Sequence, residues 1–210
     1  PGWHAVSHEE PSEFEHDGVA LFTGGAPPDS LVRSFQDAGA RTVRAAIASS
    51  ALATRDDLFN ATITLEHGDS MALYHALEEE RRALPILTWV HTLEDDPALP
   101  FWEEDALEDT IWSAVAALGC TMTDALERVL ILDLDPGGGN KRSIMHTMHA
   151  GLLRAMARVE RARRGMDTDV RFVTHAGSDF DGGDHADMLH KAALGKPTSG
   201  IAEDVELRWG

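Results

Sequence analysis

The chain has 210 residues, 43% of them hydrophobic and 26% charged, and its 36 acidic against 18 basic side chains give a formal net charge of -18. That composition suits a globular protein with one sizeable core, and no apolar run approaches the roughly 18 residues needed to cross a bilayer. So acidic a chain repels nucleic-acid backbones, which excludes general coating of DNA or RNA, and its one cysteine, Cys120, can form neither an internal disulfide nor a zinc knuckle.

Residues 1–17 are polar and lack periodicity, so they read as an irregular N-terminal arm; 18–210 read as a single α/β domain. The arm has neither the basic cluster nor the apolar stretch of a signal peptide, which points to an intracellular, cytoplasmic protein, within a particle if it belongs to one. A short apolar run at 18–23 (GVALFT) predicts a buried strand, closed by Gly24 and Gly25. Pro27-Pro28-Asp29-Ser30 predicts a helix start with Asp29 or Ser30 as cap, and Gly39 stops that helix. Strands follow at 41–47 and 61–65, the second as an edge strand. A helix is expected over 69–83, ended by Pro85, and a strand over 86–90. Residues 94–105 are acidic and punctuated by proline, which predicts a loop, and 107–118 a helix. The clearest buried strand is 128–134 (RVLILDL), and the longest helix is 143–164. A strand at 170–174, a short helix at 184–194 and an edge strand at 202–209 complete the chain.

Strands alternate with helices at the spacing of βα units. The runs ILTWV and RVLILDL are continuously apolar, as strands covered on both faces are. The expected fold is α/β: a layered sandwich with a mostly parallel sheet flanked by helices.

Two segments carry candidate chemistry. The first is the loop after the 128–134 strand, Asp135-Pro136-Gly137-Gly138-Gly139-Asn140-Lys141-Arg142-Ser143. Free backbone N–H groups and the helix dipole behind such a loop attract an anion, and a lysine adds a point charge. Gly137, Gly138, Gly139, Lys141 and Ser143 are therefore the candidate phosphate site. It resembles a P-loop in outline, although Asn140 and Arg142 stand where Walker A has glycine and Ser/Thr. The second segment holds His175, Asp179, Asp181, Asp184 and His185 directly after a strand. Imidazoles and carboxylates at that density suit a divalent cation. Residues 173–183 also look something like the metallo-β-lactamase signature, but Gly177 and Phe180 occupy two of its ligand positions, so that dinuclear zinc site does not assemble.

Thr23-Gly24-Gly25-Ala26, after the first strand, also has the look of a nucleotide-binding turn. Arg154, Arg158, Arg161, Arg163 and Arg164 crowd the end of the longest helix. They complement the helix dipole or form a partner-binding patch.

No catalytic motif is complete. The expected function is therefore a structural or assembly subunit of a large symmetric complex, such as a capsid domain, which self-associates or joins other subunits. The alternative is a small α/β hydrolase or transferase that uses a phosphate group or a divalent cation. Neither reading involves a membrane.

Overall fold

The computed structural model describes residues 16–47, 56–65, 70–93, 119, 121, 125–135, 144–165, 168–176, 189–190, 193–194 and 204–207. The apolar runs become strands: β1 (Val19–Gly24), β2 (Arg41–Ile47), β3 (Ala61–Leu65), β4 (Ile86–Thr92), β5 (Arg128–Asp135), β6 (Asp169–Ala176) and β7 (Asp204–Leu207). They form one seven-stranded sheet in the order β3-β2-β1-β4-β5-β6-β7. Every pairing is parallel. The expected α/β sandwich is therefore correct, and its sheet is wholly parallel. The edges fall on β3, as the 61–65 pattern predicts, and on β7.

Three helices are described: α1 (Asp29–Asp37), α2 (Ser70–Ala83) and α3 (Ile144–Arg164), with a short 3-10 turn at Asp56–Leu58. Side chains alternate along β1, so each face of the sheet has its own layer. Val19 and Leu21 pack with Leu77 of α2 and with Leu153 and Ala157 of α3. Ala20 and Phe22 pack with Leu31, Val32 and Phe35 of α1, and with Leu189, Ala193 and Leu194. Both layers are needed because strands this apolar cannot leave a face in water. The helix expected over 107–118 lies outside the described residues. No described helix is long and apolar enough to cross a membrane.

The sheet's amino end is polar and still buried. Arg171 Nε donates to Asp169 Oδ2 at 2.7 Å, and Arg128 Nε stands 3.5 Å from the same oxygen. Burial, then the neighbouring Arg171 charge, lowers the Arg128 guanidinium to about 10. Nearby, His16 is buried against Thr88, with Nε2 and Oγ1 3.0 Å apart, and sits edge-on to Phe35. The His16 backbone N–H donates to the Ala38 carbonyl at 2.7 Å.

Burial holds the His16 imidazole below its usual 6.5, which disfavours the charged form. The unfolded chain then takes up a proton before the folded one does. Stability from this group is present above 6.5 and falls as pH drops toward the folded-state value. His16→Gln is therefore expected to reduce the loss of unfolding free energy between about pH 7 and about pH 5, measured by urea titration. Parallel pH profiles for both proteins would contradict this.

Candidate functional site

The strand order places the site. From β1 the chain winds one way, through α1 to β2 and then β3; from β4 it winds the other way, to β5 and β6. Neighbouring β1 and β4 therefore send their following loops to opposite sides, and a crevice opens at their carboxyl ends. In open α/β sheets that switch point is where ligands bind.

At the end of β1 the chain turns on Gly24, whose φ is +78°. A Cβ there would strike the Thr92 carbonyl oxygen and come within 2.8 Å of His91 Cε1. Only glycine meets both the backbone angle and the close approach. The turn is pinned to β4 by the Gly25 N–H, which donates to the Thr92 carbonyl at 2.9 Å.

Beneath the turn lies a buried polar trio. Trp89 Nε1 donates to Thr23 Oγ1 at 2.9 Å, and the same hydroxyl shares a 2.8 Å bond with His91 Nδ1. The Trp89 and His91 rings lie 5.6 Å apart between centroids. An indole N–H can only donate, so Thr23 must accept from it. Replacing Thr23 with valine would leave that indole donor buried without its acceptor and remove the hydroxyl partner of His91 Nδ1. Thr23→Val is expected to cost about 1–3 kcal/mol in denaturant unfolding. An unchanged midpoint would show that the trio carries no stability.

Above the turn, α1 begins at Asp29 after Pro28, with no side-chain cap. The Leu31 and Val32 N–H groups return to the Pro28 carbonyl at 3.1 and 3.3 Å. Phe35, in the last turn of α1, meets Phe22 of β1 edge-on at 5.7 Å, which packs the helix against β1. Asp29 puts a carboxylate in the first turn, and Pro27 and Pro28 have no N–H to offer.

Of the candidate phosphate and metal residues in the two later segments, the described part includes one. His175 lies on β6, in register with Leu134 of β5 and Leu207 of β7, at the same carboxyl side of the sheet. Gly137, Gly138, Gly139, Lys141 and Ser143, and Asp179, Asp181, Asp184 and His185, lie outside the described residues.

No protein-family model matches the sequence, and no curated protein matches it. Solved structures do match. A metagenomic short-chain oxidoreductase in complex with NADP aligns with a TM-score of 0.63 at 15% identity, covering 95% of this chain and 100% of that one. An Aeromonas hydrophila protein described as a short-chain dehydrogenase/reductase family oxidoreductase gives 0.60 at 12% identity, over 92% and 100%. The Bordetella bronchiseptica enzyme WbmG, solved with NAD, gives 0.51 at 14% identity. That match covers 76% of this chain, which spans about half of WbmG, 53% of its length. At these identities the likeness is one of fold: an α/β, Rossmann-like sheet.

These neighbours overturn the functional expectations drawn from sequence. The three neighbours named above are two oxidoreductases and an enzyme solved with NAD, neither shell subunits nor phosphate hydrolases. The acidity and the incomplete motifs behind the capsid reading are compatible with any fold. The divalent cation is corrected as well. The bound groups named in these neighbours are NAD and NADP, and among the described residues no cluster of three or more His, Cys, Asp or Glu side chains could hold a metal. Strand order decides which turn sits at the switch point, and that is the turn after β1. The signal for it was Thr23-Gly24-Gly25-Ala26. Nothing in sequence marked His91, whose partner Thr23 lies 68 positions away.

Proposed function

We propose that this chain binds a nicotinamide dinucleotide in the crevice between β1 and β4 and serves as an oxidoreductase. The observation that carries the reading is Gly24. A left-handed glycine at the end of the first strand, with no room for a Cβ, is the first element of the dinucleotide fingerprint G-x-G-x-x-G. Ala26 stands at the second glycine position, where a single methyl group still leaves the backbone approachable, and Asp29 at the third. The residues fit the cofactor at the turn and hold its phosphates with fewer donors than a full fingerprint does.

The chain's own residues divide the work. Gly24 and Gly25 shape the turn. Thr23, Trp89 and His91 hold it from below. The first turn of α1 presents the positive end of its dipole to the phosphates, partly offset by Asp29. A bound nicotinamide would supply the hydride chemistry.

The phosphorylated cofactor, NADP, is favoured over NAD. A ribose-binding acid is expected about 20 residues beyond the first glycine. Residues 40–54 contain neither Asp nor Glu. Arg44 stands at that spacing but midway along β2, 3% exposed and 5.7 Å from the Phe59 ring centroid, so the preference rests on the missing acid.

The test is consumption of reduced dinucleotide, followed by its absorbance, with a panel of aldehydes and ketones. NADPH oxidation dependent on both protein and carbonyl supports the reading. No oxidation of NADPH or NADH across the panel counts against the oxidoreductase role.

A further inference from the structure

The arginines at the end of α3 are not absorbed by the crevice, and the helix dipole accounts only for those in the last turn. The outward face of α3 holds a second pattern. Leu153 and Ala157 are fully buried and anchor the helix to the sheet. Leu152, Ala155, Val159 and Ala162 lie on the exposed side, at intervals of three, four and three residues. Val159 is 61% exposed and Leu152 39%, two of only three exposed large hydrophobic side chains among the described residues. The same alternation of three and four runs back in the sequence to Met148 and Met145. That is the spacing of the a and d positions of a two-stranded coiled coil. With Leu152 and Val159 at a, and Ala155 and Ala162 at d, Arg158 falls at g and Arg163 at e, while Gly151 and Gly165 take the other g positions and Met156 the other e. The alanines, with Gly151 beside them, let a second backbone come close.

We propose that this face of α3 docks an acidic amphipathic helix of a partner protein. The charge pattern selects the occupant. In a parallel pair, a g residue faces the e residue five positions on in the other helix. A second copy of this chain would therefore set Arg158 against Arg163 of its mate. An antiparallel pair of copies would set like positions, and so arginines, together. A partner with glutamate at its e and g positions meets both arginines with opposite charge. Arg163 is 62% exposed and pairs with Glu160 at 2.6 Å on its own helix, so a partner carboxylate shares or replaces that contact.

The probe is a labelled three-heptad peptide with leucine at a and d and glutamate at e and g. Its counterpart carries lysine at e and g. Both are titrated with the full chain at low salt and followed by fluorescence anisotropy. The acidic peptide is expected to bind at least about tenfold more tightly, a difference the two facing arginines supply at low ionic strength. The sign is diagnostic, because a chain of net charge -18 attracts the lysine peptide by its general field. Arg158→Glu with Arg163→Glu is expected to invert the preference. Val159→Glu, at an exposed position, is expected to abolish acidic-peptide binding without moving the melting temperature. Three results would overturn the proposal: the lysine peptide binding as well or better, neither peptide binding, or the chain forming a dimer that Val159→Glu dissolves.

Discussion

Asp169→Ala is expected to lose about 3–5 kcal/mol of unfolding free energy, enough to threaten the fold of a domain this size. The carboxylate is 3% exposed and is shared by Arg171 at 2.7 Å and Arg128 at 3.5 Å. Removing it leaves two buried guanidinium groups facing each other. Burial and then the Arg171 charge already lower the Arg128 group, and the Asp169 carboxylate is the strongest influence opposing them. Asp169→Asn keeps the shape and loses the charge, so it is expected to fall close to the alanine variant. Turning all three positions apolar, with Arg128→Met, Asp169→Leu and Arg171→Met, is expected to recover most of the loss, because no charge is then buried. Urea unfolding of the single and triple variants is the check. A single variant within about 1 kcal/mol of wild type would mean that water reaches the cluster.

Gly24→Val is the second large effect, and it falls on function as well as stability. A β-branched side chain at φ +78° strains the backbone by about 1–3 kcal/mol. The new Cβ must also displace the Thr92 carbonyl, which accepts from Gly25 and ends β4. Relief of the collision therefore parts β1 from β4 at the crevice. Dinucleotide binding is expected to vanish in a protein that still folds, seen as a lowered but cooperative thermal transition. Gly24→Ala is expected to do the same with a smaller stability loss.

Much of the fold was legible because its signals are local. Runs such as VALFT and RVLILDL announce strands covered on both faces, and Pro85 and Gly39 punctuate the helices. The extension of β4 through His91 and Thr92 was not legible. Polar residues at a strand end read as loop, and here they are buried because the Thr23 hydroxyl bonds His91 and the Gly25 N–H donates to the Thr92 carbonyl. The switch point was hidden for the same reason. It arises from β1 lying beside β4, a pairing of segments more than sixty residues apart. The Thr23–Ala26 turn is visible in the sequence, but a two-glycine turn gains meaning only once the strand order is known. The -18 charge misled in the other direction. It describes solubility and partners, not fold.

Asp29 offers a sharper test of the crevice than any loss-of-function change. Its carboxylate stands in the first turn of α1, where a pyrophosphate would also seek the helix dipole. Asp29→Asn is expected to tighten dinucleotide binding by about tenfold, which corresponds to roughly 1.4 kcal/mol. The helix gives up a few tenths of a kcal/mol of favourable dipole interaction in exchange.

The most direct measurement is a calorimetric titration of NADPH and NADH into the wild type, Asp29→Asn and Gly24→Ala proteins. A nicotinamide crevice at β1 and β4 predicts saturable binding of NADPH to the wild type, tighter binding to Asp29→Asn, and none to a folded Gly24→Ala. No binding of either dinucleotide to the wild type, or equal binding to Gly24→Ala, would contradict it.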